Sequence, residues 1–396
     1  MNQTTPTSHT AVPGDDSSTL VPGASSVVVQ KLMSDETYVW TSLVFSVVCT
    51  VLSLLGIVGN ARAIRAFLSM GLRDGVTISF LFLTCSDLAY LTALAVHAVS
   101  LGFAMAERWT NYRTWFSVEP FGVYVFFSNV GILIYLLTVL TTTYLALAKC
   151  MCVAMPLHFK NTFTRKRTLV ILTVFLVLTV GSYLPVLVYM RMVDKFDPRT
   201  NSTRSVLWIS SKRDDVRDYV WLVRDVTVTF VTQIIVTFCV IIMVRCLRVA
   251  SNFRQKFIGH RVCLARKVIA TDVSSYNKNS TNSDVNTTYI QTVSQRIRLP
   301  PLASPPSVKL SSADVSVIQQ VVLISFVYIG CNTPKLLVDL TAMLVPDFTL
   351  GRPYQNVYLT AISMMELCQG FNSSISFVIY HRYNTSFRQH CGWGRK

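Results

Sequence analysis

Charge is what this sequence has least of. Asp, Glu, Lys and Arg make up only 14% of its 396 residues, and the mean hydropathy is +0.45. A soluble chain of this length averages about a quarter charged, so soluble globular, coiled-coil and disordered classes are excluded. Residues 37–61, 120–148 and 168–190 carry no charge at all. Each run exceeds the roughly 20 apolar residues that a bilayer-spanning helix needs.

Other absences narrow the class. The apolar residues do not alternate with period two, and lipid offers backbone groups no partner, so the spans are helices. There is no His-Glu-x-x-His, no Gly-x-Ser-x-Gly and no phosphate-binding loop, which leaves hydrolase and nucleotidase chemistry without its motifs. No internal repeat supports a transporter of paired halves. The first 36 residues are Thr, Ser, Pro and Gly-rich and lack an apolar core. They read as a disordered tail without a cleavable signal, so the first span is expected to direct insertion.

The residues present predict an all-α membrane protein, a seven-transmembrane helix bundle with a short amphipathic eighth helix. The expected spans are roughly 38–68, 76–103, 118–152, 168–190, 219–247, 315–345 and 354–380. The seventh carries the weakest signal, because Glu366, Ser and Asn interrupt it. The layout is a tail over 1–37, a helical domain over 38–381 with a flexible third inner loop over 248–313, and an amphipathic segment and tail over 382–396. That loop is rich in Ser, Thr, Asn and Pro between basic ends.

Charge orients the bundle. With the N-terminus outside, the inner side holds 22 basic and four acidic residues, the outer side 12 and 13. Lys and Arg near span ends favour the cytoplasmic side, so the plasma membrane with the N-terminus outside is expected. The basic surplus hugs anionic lipid headgroups, and no nucleic-acid partner is needed to explain it. All ten cysteines then fall in spans or inside, leaving no extracellular disulfide. Asn2 and Asn201 head outward-facing glycosylation sequons, whereas Asn279, Asn286 and Asn384 head sequons facing the cytosol.

Ionisable groups within spans are costly and each needs an account. Asp87 in span two has Asn60, Thr138, Asn372, Ser373 and Ser376 as candidate partners, forming a polar hub that a proton or a sodium ion can fill. Lys335 follows Pro334, with Asp339 one turn on, and Glu366 shares a stripe with Ser363, Gly370 and Ser373. These three, with Gly131 and His97, are the candidate ligand-binding groups, although Lys335 can simply neutralise Glu366 or Asp339. Lys149 ends span three and Asp314 opens span six on the same side, a pairing able to latch the two.

Taken in order, these elements resemble the rhodopsin-like (class A) G-protein-coupled receptor family over about residues 38–391. The matching stretches are Gly59-Asn60, Leu83-Thr84-Cys85-Ser86-Asp87, Lys149 through Pro156-Leu157, Cys331-Asn332-Thr333-Pro334 and Asn372 through Tyr380. Departures are clear. Ala148-Lys149-Cys150 replaces the Asp/Glu-Arg-Tyr triplet, Asn332 replaces the Trp before the span-six proline, and the span-seven Asn-Pro-x-x-Tyr motif reads Ser376-Phe377-Val378-Ile379-Tyr380, without its proline. Tyr124 stands about where the family's disulfide cysteine is expected, and Gly131 stands where amine receptors carry an aspartate. The Lys-Cys-x-Cys stretch is similar to divergent invertebrate receptors of chemosensory or orphan peptide type.

The resemblance implies a receptor without enzymatic activity. It would bind an extracellular small molecule or peptide and activate a heterotrimeric G protein through movement of span six, with Lys149, Asp314, Pro334 and Tyr380 in the switch. Arrestin and a receptor kinase are implied further partners, and Cys391 an implied palmitoylation site. The rival class is a seven-helix ligand-gated channel, or a transporter, of inverted topology. We expect glycosidase treatment of the expressed chain to remove sugar from Asn2 and Asn201 only; glycan on Asn279 or Asn286 would reverse the orientation.

Overall fold

A computed structural model describes residues 32–72, 74–110, 116–154, 164–197, 202–249 and 312–391. The helices begin where short polar side chains cap apolar runs. Ser34 accepts from the Thr37 N–H at 3.1 Å and opens α1 (Asp35–Met70), whose first turn holds Asp35 and Glu36 against the helix dipole. It stops at Gly71, whose φ of 84° is left-handed backbone that glycine adopts without strain. Asp74 caps α2 (Gly75–Trp109) through the Thr77 N–H at 2.9 Å. Then come α3 (Pro120–Ala154) and α4 (Arg165–Val188), the latter capped by Thr164. Helix α5 (Asp215–Val249) is next, then α6 (Ser312–Leu344), α7 (Gln355–Tyr383) and the six-residue α8 (Thr385–His390).

Six of these, α1 to α6, are long and apolar enough to cross a bilayer. The protein is a multi-pass, all-α membrane protein. Helix α7 falls below that apolarity, in keeping with its Ser, Asn and Glu content, yet it packs between α1 and α6 along the bundle. Close approach is built in by small residues: a Cβ on Gly56 would lie 2.3 Å from Ser374 Oγ, and one on Gly370 2.7 Å from Leu94 Cδ2. The peripheral helices are α1 and α4, whose most apolar windows are 28% and 22% buried against 56% for α2. Their outward faces show Val44, Val47, Leu55, Val170 and Val177, an apolar band that water would not tolerate but lipid accepts. At one end Phe67, Phe80, Tyr380 and Phe387 form a buried aromatic cluster with centroids 5.0–6.0 Å apart, fastening α8 to α1, α2 and α7.

Two features depart from the expected layout. The connection between the fourth and fifth expected spans contains an antiparallel hairpin, β1 (Met190–Asp197) and β2 (Ser202–Ile209), at the opposite end from α8. Its strands carry β-branched and aromatic residues, and Arg191 sits 4.7 Å from the ring of its cross-strand partner Trp208. The second departure lies in α5, where Trp221–Val228 is a π-helical segment in a span without proline. Helix α6 stays continuous through Pro334.

No disulfide holds the hairpin, and the nine cysteines among the described residues are all free. Instead Arg204 grips the Glu107 carboxylate with two bonds of 2.8 and 2.9 Å, both groups buried. Ser205 exchanges backbone bonds with Ser117 and Glu119 at 3.0 and 2.9 Å, and Glu119 accepts the Leu207 N–H at 3.1 Å. Removing one member of a buried pair strands the other charge, at a cost of about 3–5 kcal/mol. Arg204→Ala should therefore lower the melting temperature markedly, whereas a reductant should leave the wild-type value unchanged. Differential scanning fluorimetry of the purified protein in detergent reads both.

Candidate functional site

Helix α3 is the axis on which the polar side chains converge, because successive residues on a helix point about 100° apart. Ser128 donates to Glu366 on α7 at 3.3 Å, while its neighbour Asn129 accepts from the Tyr183 hydroxyl of α4 at 2.7 Å and from Arg213 at 3.1 Å. Further along, Tyr135 donates to Asn332 of α6 at 3.3 Å, and Thr138 donates to Asp87 of α2 at 3.1 Å. Carbonyl oxygens of Ile132 and Leu133 accept from Arg224 of α5 at 3.2 and 3.1 Å. Each of α2, α4, α5, α6 and α7 thus meets α3 through a hydrogen bond.

Near the hairpin end the expected ligand groups divide into two clusters. In the first, Glu366 Oε2 lies 2.8 Å from His97 Nε2, and His97 Nδ1 lies 3.2 Å from the Tyr124 carbonyl. The Tyr124 ring stacks 4.4 Å from the imidazole. Below them Tyr90 donates to Gln369 at 3.1 Å. Gly131 faces this layer, with Tyr90 Cε2 at 3.7 Å from where a Cβ would stand and no closer atom. The missing side chain leaves room beside Tyr90.

The second cluster joins α5 and α6. Lys335 Nζ lies 2.6 Å from Asp339 Oδ2 and donates to the Asp225 carbonyl at 3.1 Å, while Trp221 Nε1 donates to Asp339 Oδ1 at 3.3 Å. Arg224 stands 3.8 Å from the Asp225 carboxylate and 4.5 Å above the Tyr183 ring. A π-helical turn rotates the rest of the helix relative to a regular one and alters which carbonyls stay in the ladder. Here it carries Trp221, Arg224 and Asp225 toward α3, α4 and α6 together. Two basic and two acidic groups balance. Lys335 pairs with Asp339, and the alternative Lys335–Glu366 pairing does not form, because Glu366 is held across the bundle by His97.

At mid-bundle Asp87 is 1% exposed, with Thr138 at 3.1 Å and Ser376 at 3.2 Å. Asn60 does not bond to Asp87 but spans α1 and α7, donating to the carbonyls of Gly56 at 2.9 Å and Ser373 at 3.0 Å. Its Oδ1 is buried with no hydrogen-bond partner among the described residues. Asn372, Ser373 and Ser376 are buried on the same helix. A carboxylate, two hydroxyls and an orphan amide oxygen are hard donors of the kind small cations take. No group of three or more His, Cys, Asp or Glu able to hold a metal occurs among the described residues.

Toward the α8 end Lys149 is buried at the close of α3 and Tyr380 is fully buried on α7. Asp314 lies in the first turn of α6, but its side chain falls outside the described residues, so the latch to Lys149 does too. Asn2 and Asn201 also fall outside them, whereas Cys391 comes after α8 and is partly buried. The pairing of His97 with Glu366, and the burial of Arg224, Asp225, Glu107 and Arg204, are not evident in the sequence. Position along the chain places Arg224 and Asp225 among the outer-face charges. Their location within the apolar run over 219–247 is the signal that points inward.

No protein-family model matches the chain, and no curated protein matches it. The side-chain arrangement therefore carries the functional reading. It also makes the second cluster testable: Lys335→Met or Asp339→Leu alone should destabilise the protein by about 3–5 kcal/mol, and the double variant should recover most of that loss. Additive losses in a thermal double-mutant cycle would show that the two side chains do not depend on each other.

Proposed function

We propose that the chain is a rhodopsin-like G-protein-coupled receptor, a seven-helix switch without chemistry of its own. In this reading α7 is the seventh span, the N-terminus and hairpin face outward at the plasma membrane, and α8 lies along the cytosolic surface. An extracellular small molecule or peptide, chemosensory in the invertebrate resemblance, enters between α2, α3, α6 and α7 near Glu366, His97, Gly131, Lys335 and Asp339.

The observation that carries the reading is the polar axis of α3. It links the two outward clusters to Asp87 and ends in Lys149, so a displacement at one end has a hydrogen-bonded route to the other. A ligand shifts such a protein only by binding one arrangement better than another. Helix α6 has reason to rearrange: Gln320 is fully buried with neither amide atom partnered among the described residues, as is the Ser325 hydroxyl. Each orphan group costs about 1–3 kcal/mol, which movement of α6 toward water can relieve. Outward swing of α6, pivoting near Pro334, would open a basic-rimmed socket beside Lys149 and Tyr380 for a heterotrimeric G protein, and then for arrestin and a receptor kinase. A sodium ion at Asp87, with Thr138, Ser376 and Asn60 as oxygen donors, would hold the resting state.

The test is G-protein dissociation in cells expressing the chain, read by energy transfer between labelled subunits while peptides, amino acids and small odorants are screened. We expect an agonist to emerge, Lys149→Ala to change basal or evoked coupling at least several-fold, and Glu366→Gln to blunt the response at unchanged surface expression. Ion conduction by the purified protein, with no G-protein signal, would replace the receptor by a channel.

A further inference from the structure

The contact between His97 and Glu366 has a proton inventory that its geometry dictates. His97 is 3% exposed, and both ring nitrogens face oxygen: Nδ1 the Tyr124 carbonyl at 3.2 Å, Nε2 the Glu366 carboxyl at 2.8 Å. A carbonyl only accepts, so Nδ1 carries hydrogen. One further proton must then lie between Nε2 and Oε2, on the imidazolium or on the carboxylic acid; without it two lone pairs would oppose each other at 2.8 Å. Either placement leaves the pair with no net charge. Loss of that proton leaves a net negative charge and removes one of the bonds that join α2 to α7, beside Tyr90–Gln369 and Ser376–Asp87.

Among the described residues no other charged group substitutes for it. Glu366 is in electrostatic reach of Tyr38 and Cys49 on α1, Tyr90 on α2 and Tyr124 on α3. Tyrosine and cysteine are uncharged near neutrality. Ser128 adds only a hydroxyl, at 3.3 Å. Lys335 is engaged by Asp339 and the Asp225 carbonyl, and Asp339 reaches Tyr358 on the α7 side. His97 is the one basic group among the described residues within ion-pair distance of Glu366. The Glu366 side chain keeps 12% of its surface exposed.

We infer that His97 and Glu366 form a proton-binding site that clasps α2 to α7 and opens when its shared proton leaves. The ligand is the hydrogen ion itself, and acid closes the clasp. The stability that the clasp contributes is present while the proton is bound and is lost as pH rises past the point of release. The site stands on geometry alone; its use as a signal for external acidity rests on the receptor reading.

Two measurements separate the site from its signalling role. On the purified full-length protein in nanodiscs, nitrogen NMR of labelled histidine between about pH 5 and 9, a range spanning the ordinary imidazole pKa, should show one buried imidazole titrating, absent in His97→Asn and changed in Glu366→Gln. Wild-type melting temperature should fall by several degrees across that range relative to both variants, while Ser128→Ala keeps the wild-type slope. A pH-independent gap between wild type and variants, or a His97 resonance that never titrates, overturns the proton site. A titrating site in a chain whose G-protein coupling ignores external pH keeps the site and discards its signalling role.

Discussion

Hydrogen-bonding groups inside a bilayer find no water, so one left without a partner on another helix or on its own is costly. That constraint places α3 at the centre. Its Ser128, Asn129, Tyr135 and Thr138 each face a different neighbour, and the roughly 100° step between residues distributes those partners around the axis. The hydrophobic effect brings the helices into the membrane but does not choose among their faces, because lipid is as apolar as leucine. Polar pairs and small residues choose. Gly56 and Gly370 permit the close packing of α7 on α1 and α2, without which Asn60 and Asp87 would not meet Ser373 and Ser376.

The same constraint accounts for the π-helical turn of α5. Arg224 and Asp225 are consecutive within it, and both are buried. The wider turn brings both inward, where Arg224 finds two α3 carbonyls and the Asp225 carbonyl finds Lys335. The hairpin answers a related problem. A connection with no cysteine of its own is fastened by an ion pair in which one Arg204 nitrogen meets both Glu107 oxygens, and backbone bonds to Ser117 and Glu119 hold it to the segment that leads into α3.

Legibility tracks the range of the interaction. Runs without charge announce the helices, and Ser34, Asp74 and Thr164 mark starts through contacts three residues away. Lys335 and Asp339, four apart on one helix, are readable as a pair because helical geometry alone brings them together. Asp87 with Thr138 and Ser376 is legible as a set, since an acid at mid-span demands polar neighbours. Asn60 is expected in that set but bonds to backbone carbonyls of α1 and α7 instead.

Apolar length and near-neighbour contacts are properties of the linear chain. They suffice to put this protein in a membrane, to mark where its helices begin, and to name the local pairs. They do not suffice to assign Glu366 to His97 over Lys335, to turn Arg224 and Asp225 inward, or to join Glu107 to Arg204. The partners in the first and last of these lie 269 and 97 positions apart, and Arg224 and Asp225 sit within a local distortion of their helix. Rotation of a helix about its own axis is set by packing against its neighbours, which no single segment encodes.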